Sequence, residues 1–247
     1  MTTVTASKLG NVRSWFEVPR KYLDPRQFDI RIRTETVKAF VDHSTFDHAL
    51  DIGCGNGSIS LPLLERIRKL TLLDVSTNML SVASGNIPTD LSEKVELINT
   101  DLIGARLESE TFDLVLCVGV LAHVDSPADV IAEVTRIARP GATIILEFTD
   151  SYHYWSVPVI LYQNLLKLRR PAPYALNRLG RKSIFQLCRE NRLELRQLYR
   201  YGLPPIGTSV FASQDAMYGM TRYLFGPSDR NRNCWMGNQF ICLFQKS

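Results

Sequence analysis

The sequence predicts an α/β fold, doubly wound around a mostly parallel seven-stranded sheet. Three observations carry that expectation. Short apolar runs alternate with helix-like segments from residue 47 to residue 148. The first run feeds a glycine-rich turn, Asp51-Ile-Gly-Cys-Gly-Asn-Gly57. After Asp150 the rhythm changes, and two late alternating runs complete the sheet.

Taken in order, residues 1–26 read as an irregular lead with some helix, and Gln27 to Val41 as a helix with apolar faces at Phe28, Ile32, Val37, Phe40 and Val41. Candidate strands lie at 47–52, 70–74, 94–98, 112–117 and 142–148, with helices at 58–68, 77–86 and 127–138. Ser126-Pro127-Ala128-Asp129 is a helix start, with Ser as N-cap, Pro at the first position and Asp in the first turn. Arg139-Pro140-Gly141 is expected to end that helix. Strands separated by helices of this length pair in parallel through right-handed crossovers. Beyond Asp150, Trp155 to Leu168 reads as an apolar helix and residues 169–173 as a basic, proline-punctuated link. Arg181 to Asn191 and Ser213 to Phe225 are helical, and Leu193 to Tyr201 and Gln239 to Gln245 are strands.

The length of 247 residues supports a real hydrophobic core, and 45% hydrophobic with 22% charged residues is ordinary globular composition. No apolar run reaches the ~20 residues that span a bilayer, and Met1 to Gly10 lack a signal-peptide pattern. The five cysteines (54, 117, 188, 234, 242) are scattered and form neither CxxC nor zinc spacing. Reduced thiols, a cytoplasmic location and no metal are the expectation. Charge is uneven: residues 1–150 carry 15 Lys+Arg against 21 Asp+Glu, and residues 151–247 carry 14 against 4. Fifteen of the aromatic residues also fall after Asp150, so the two halves have different surroundings.

Three glycines at alternate positions let a chain turn tightly after a strand and remove side chains that would hold a ligand away. A dinucleotide fingerprint, GxGxxG, fits Gly53 and Gly55 but puts Ser58 at its third glycine. A P-loop is excluded because no GK[ST] follows. The chain here resembles the class I S-adenosylmethionine-dependent methyltransferases over roughly residues 45–150. Asp51 to Gly57 resembles their first motif, and Asp74, ending Leu70-Thr-Leu-Leu-Asp74, stands where they place a ribose-binding acid. Asn99-Thr-Asp101-Leu102 resembles the adenine-binding turn, Phe112 to Val124 the fourth motif, and Arg139 to Ala142 with Ile144 to Glu147 the loop and fifth strand. The resemblance implies a Rossmann-like methyltransferase with a helical lid, and S-adenosyl-L-methionine as cofactor, released as S-adenosyl-L-homocysteine. Asp51 would hold the methionyl amino group or orient the loop, Gly53 and Gly55 would floor the methionyl part, and Asp74 would accept both ribose hydroxyls. Asp101 and the Leu102 N–H would meet the adenine, with Met79 on its face; Cys54, Val75, Cys117 and Val118 complete the cofactor shell. The Cys54 thiol itself reads as structural.

Methyl transfer needs alignment and exclusion of water, and a hydroxyl acceptor also needs a base. His123, after strand four, and His153, in Tyr152-His-Tyr-Trp155, are the catalytic candidates, each with a plain packing role as its alternative. Tyr22, Arg31 and Arg33 lie in the lead, where an Arg could bind the methionyl carboxylate or be a surface charge. The Asn/Asp-Pro-Pro-Tyr and Pro-Cys signatures of nucleic acid methylation and the metal-binding acid of catechol-type enzymes are missing. The organisation expected is a helical lead or lid at 1–44, a cofactor core at 45–150, a substrate lid at 151–192 and C-terminal strands and helix at 193–247. The function expected is methylation of O or N on a small organic metabolite, anionic or aromatic, by a chain with no nucleic-acid partner and room for a homodimer. The alternatives are an RNA methyltransferase using the ten Lys+Arg between Lys167 and Arg200, and a cofactor-binding protein with altered chemistry.

Overall fold

The computed structural model describes residues 8–154, 156–157, 174–202 and 213–247. Seven strands form one sheet: β1 Phe46–Ile52, β2 Ile67–Leu73, β3 Val95–Ile98, β4 Phe112–Cys117, β5 Ala138–Thr149, β6 Leu193–Tyr201 and β7 Gln239–Lys246. Their order is β3-β2-β1-β4-β5-β7-β6. β1 to β5 pair in parallel, and β7 enters antiparallel between β5 and β6. The chain reverses direction outward at β1, with β4 on its other side. This is the switch point outside which open α/β sheets bind ligands.

Alternation along the strands builds two cores. Leu114 and Leu116 join an apolar cluster with Ala49, Leu70 and Leu72, while Val115 and Cys117 join another with Leu50, Ile52 and Leu146. Helices α1 Lys8–Phe16, α2 Pro19–Leu23 and α3 Gln27–Phe40 precede the sheet; α4 Thr77–Asn86, α5 Pro127–Ile137, α6 Arg181–Glu190 and α7 Gln214–Phe225 follow in order. α3 and α7 bury Phe28, Ile32, Val37, Met217 and Phe225 in the first cluster. α5 and α6 bury Val130, Ile131, Val134, Ile184 and Cys188 in the second. The Ser126 hydroxyl accepts from the Asp129 N–H at 3.2 Å, the cap its sequence announces.

Two expectations need correction. The helix at 58–68 is only a 3₁₀ turn over Leu61–Arg66, and β2 starts at Ile67 because Ile67 pairs with Phe46 and leaves no length for a full helix. Arg139-Pro140-Gly141 does not separate α5 from the fifth strand; it lies inside β5. There the register jumps, Phe112 facing Ala138 and Leu114 facing Thr143, with Gly141 at φ 77°. A bulge accommodates a proline that has no N–H for the ladder. The predicted helix from Trp155 and the link at 169–173 lie outside the described residues, apart from helical Ser156 and Val157. No helix among the described residues is long and apolar enough to cross a membrane.

Candidate functional site

The glycine turn leaves β1 at the C-terminal edge of the sheet. Gly53, Gly55 and Gly57 have φ of 64°, 55° and 76°, a region that side chains with a Cβ avoid. The Gly53 and Cys54 N–H groups donate to the Leu73 carbonyl at 2.7 and 3.1 Å, tying the turn to the end of β2. Their surroundings differ. A Cβ on Gly53 would sit 2.6 Å from a Val120 methyl, whereas one on Gly55 would meet nothing within 4 Å. The open face above Gly55 is a floor on which a ligand can lie against backbone.

Two buried acids flank that floor. Asp51, on β1, accepts from the Ser60 hydroxyl at 2.6 Å, and burial pushes its pKa up to about 7. Asp74, just past β2, accepts from the Gly55 N–H at 2.9 Å and from the Ser76 N–H at 2.8 Å. Burial raises its pKa, opposed by those backbone donors. Each carboxylate oxygen keeps a lone pair for a further donor. The Asn99 amide donates to the Asp74 carbonyl at 2.9 Å, and Asp101 accepts from the Gly104 N–H at 2.9 Å. Met79 is buried at the start of α4, where the Ser76 hydroxyl caps its N–H. Val75 is half-buried, and Leu102, Cys117 and Val118 are buried. The Cys54 thiol is buried and its pKa raised by that burial, as a structural thiol requires. All eleven residues expected around the cofactor thus stand at or beside the C-terminal ends of β1 to β4.

The lead lies across the same edge. Glu17 accepts from the Thr77 and Asn78 N–H groups at the start of α4, and the Ser76 hydroxyl donates to the Phe16 carbonyl. The Lys8 ammonium reaches the Val124 carbonyl and the Asn177 side-chain oxygen, while the Asn177 amide donates to the Leu121 and Val124 carbonyls. The loop after β4 is therefore pinned from both sides. His123, within it, hydrogen-bonds the Tyr174 hydroxyl through Nδ1 at 2.8 Å, and Phe16 meets its ring edge-on. Burial first, then the nearby charges of Arg26, Arg33 and Lys8, hold its pKa down at about 4. His153 belongs to other surroundings: its Nε2 bonds the Trp235 carbonyl at 3.0 Å, and its ring lies 4.3 Å from that of Tyr154. The two histidines are thus held by different elements.

Sequence reasoning missed one buried network. Arg33 bridges Asp29 at 3.2 Å and Glu147 at 3.1 Å, and the Tyr201 hydroxyl donates to Asp29 at 2.5 Å. Gly119, with φ 78°, makes room for the guanidinium: its Cβ would lie 3.3 Å from an Arg33 nitrogen. Glu147 inside the apolar run Ile144 to Phe148 was the available signal, since a charge in a buried strand demands a partner. A polar cavity of about 490 Å³ opens at the opposite edge, between Phe46, Asp47, Arg66, Ile67, Arg68 and Asp113, away from the glycine turn. Among the described residues no cluster of His, Cys, Asp or Glu is placed to hold a metal.

Residues 50–146, from the end of β1 to the end of β5, match the family described as methyltransferase domain. This segment is similar to that domain family. Its curated relatives include the ubiquinone biosynthesis O-methyltransferase of Burkholderia orbicola, 35% identical over 103 residues, 41% of this chain and 44% of that protein. The mitochondrial protein of that name in Schizosaccharomyces pombe is 32% identical over 99 residues, 39% and 36% of the two chains. The matches span less than half the length of those relatives. Among solved structures, an S-adenosylmethionine-dependent methyltransferase of Thermotoga maritima superposes with TM-score 0.68 at 14% identity, covering 98% of this chain and 100% of that one. The magnesium protoporphyrin IX methyltransferase of Synechocystis, with bound S-adenosylhomocysteine, gives 0.64 at 18% identity and covers 98% and 100%. At such identities the likeness concerns the fold, and it takes in the strands and helices on either side of residues 50–146.

Proposed function

We propose that this protein transfers a methyl group from S-adenosyl-L-methionine to an oxygen or nitrogen of a small organic molecule. The observation that carries the reading is the Gly53–Gly57 turn, locked to Leu73 and Asp74 with an open backbone face at Gly55. The residues present fit that cofactor. Gly55 leaves space where a side chain would intrude, Asp74 has lone pairs for two hydroxyls, and Asp51 is a buried carboxyl suited to an ammonium group. Asp101 and Leu102 would take the adenine, with Met79, Val75, Cys54, Cys117 and Val118 around them. When bound, the cofactor supplies a methyl group made electrophilic by its sulfonium.

The chain's own part is alignment and exclusion of water. Helix α1 and Glu17 after it reach the mouth through Lys8, Phe16 and Glu17, and the loop after β4 is pinned by Asn177. Burial holds the His123 pKa at about 4, which makes it a weak proton acceptor, so it serves as hydrogen-bonding scaffold for Tyr174 more readily than as base. His153 remains a candidate acceptor contact beside Tyr154 and Trp235. The division at 1–44, 45–150, 151–192 and 193–247 into lead, cofactor core, substrate lid and closing strands belongs to the same reading. Calorimetry with S-adenosylhomocysteine against NAD tests it: micromolar or tighter binding of the former with none of the latter is expected, and the reverse order overturns it. Production of S-adenosylhomocysteine only when an acceptor is added then separates a working transferase from a cofactor-binding protein.

A further inference from the structure

The carboxyl of Asp51 has surroundings that do not suit a charge. It lies near the end of β1 and is only 2% exposed. One donor serves it: the Ser60 hydroxyl, itself fully buried, reaches Oδ2 at 2.6 Å. Among the described residues no Lys, Arg or His forms an ion pair with it, and the charged group that acts on it is a second acid, Asp74, at the end of β2. Its other titratable neighbours are thiols. Cys54 in the turn and Cys117 in β4 both feel its charge, and burial holds both above the ordinary thiol range, so neither carries a charge near neutrality. A carboxylate buried without a cation neutralises itself by binding a proton. The Asp51 pKa of about 7 agrees with that expectation. Asp74 differs, although it is buried too. The Gly55 and Ser76 N–H groups donate to its two oxygens, one to each, and such donors favour the ionised form. The two acids of the floor are therefore unequal, and the proton belongs on Asp51. What the site lacks is a cation, and the methionyl end of the proposed cofactor carries an ammonium group.

We propose that Asp51 carries a proton in the unliganded protein and surrenders it to solvent when the cofactor's ammonium group arrives, so that cofactor binding is coupled to proton release. The carboxyl O–H bond breaks, the proton passes to the buffer, and the carboxylate left behind faces the ammonium as its counter-charge. The proposal rests on the cofactor reading and adds a pH control to that same site. Where Asp51 is protonated, binding must first expel the proton, so affinity falls as pH drops below neutrality and levels off above it. The open site thereby never holds an unpaired buried charge.

The test is calorimetry of the full chain with S-adenosylhomocysteine, which keeps the ammonium group, in two buffers of contrasting ionisation enthalpy, phosphate and imidazole. The difference in heat between the buffers counts the protons released. About 0.9 proton per site is expected at pH 6 and about 0.1 at pH 8, with affinity about tenfold weaker at pH 6 than at pH 8. Asp51→Asn fixes the side chain in a neutral form and is expected to bind with equal heat in both buffers. Ser60→Ala keeps the carboxyl but removes the hydroxyl that favours its ionised form, so its release at pH 8 is expected to exceed that of wild type. Equal heats for wild type at pH 6, undiminished release from Asp51→Asn, or a release at pH 8 that Ser60→Ala leaves unchanged overturns the proposal with the cofactor reading intact. Failure of wild-type protein to bind S-adenosylhomocysteine at pH 8 overturns both.

Discussion

The two sides of the site are held by different means. On the β1–β2 side, backbone donors fix everything that matters: the Gly53 and Cys54 N–H groups sit on the Leu73 carbonyl, and the Gly55 and Ser76 N–H groups sit on Asp74. On the β4–β5 side, long side chains do the holding, through Lys8 to Val124, Asn177 to Leu121, Tyr174 to His123 and Arg33 to Glu147. Backbone contacts tolerate almost no change of residue, because the dihedral angles themselves are committed. Side-chain contacts can be exchanged one at a time. A constant ligand therefore suits the first side and a variable one the second.

The largest expected effect falls on the rigid side, at Asp51. Its folded pKa near 7 lies above the unfolded value near 4, so the folded state binds the extra proton in between. Stability should then fall as pH rises through that window, by about 1.4 kcal/mol per unit and up to roughly 4 kcal/mol in all. His123, depressed to about 4, works the other way from pH 4 to 6.5, since its unfolded state binds more protons. Comparing Asp51→Asn with wild type in urea melts from pH 4 to 8 isolates the first contribution, and the variant should be the more stable at pH 8. An equal gap between the two proteins at every pH would remove the buried-acid assignment.

Next come the glycines. Gly53→Ala combines a left-handed backbone with a methyl 2.6 Å from Val120, and should cost about 2–4 kcal/mol. Gly55→Ala meets open space and should cost only about 1 kcal/mol of folding stability, yet obstruct cofactor binding. Denaturant midpoints read the first and calorimetry the second; similar midpoints for both would show that Val120 yields. Asp74→Ala should weaken S-adenosylhomocysteine binding by about 1.5–3 kcal/mol, and an unchanged dissociation constant would refute its role. Tyr174→Phe has the smallest expected effect. It removes one hydrogen bond to His123, about 1 kcal/mol or less, and should leave cofactor affinity alone. A loss of cofactor affinity there would mean that the two sides are not separable.

The rigid side was the legible side. A strand ending in alternate glycines, an acid closing the next strand and a serine cap ahead of α4 are local signals, and α4 and β6 lie at the residues their patterns predict. β2 and β5 were misplaced at their starts because Ile67-Arg68-Lys69 and Ala138-Arg139-Pro140 gain their strand geometry only from partners across the sheet. The acceptor side was far less legible. Lys8 meets Asn177 across 169 residues and Tyr201 meets Asp29 across 172, and no local pattern announces such pairs. Glu147 advertised a partner without naming it, and the Trp235 carbonyl that His153 meets lies 82 residues away in sequence.

The Gly55 amide is held by a side chain rather than by a strand, and its acceptor, Asp74, is an acid whose proton affinity is already raised. The hydrogen exchange of that single amide should therefore follow the ionisation of Asp74. As Asp74 takes up a proton, its grip on the Gly55 N–H weakens and the protection of that amide should decline. The neighbouring Gly53 and Cys54 amides, anchored on an uncharged carbonyl, should stay protected over the same range. One turn thus offers an internal reporter and its own reference within three consecutive residues.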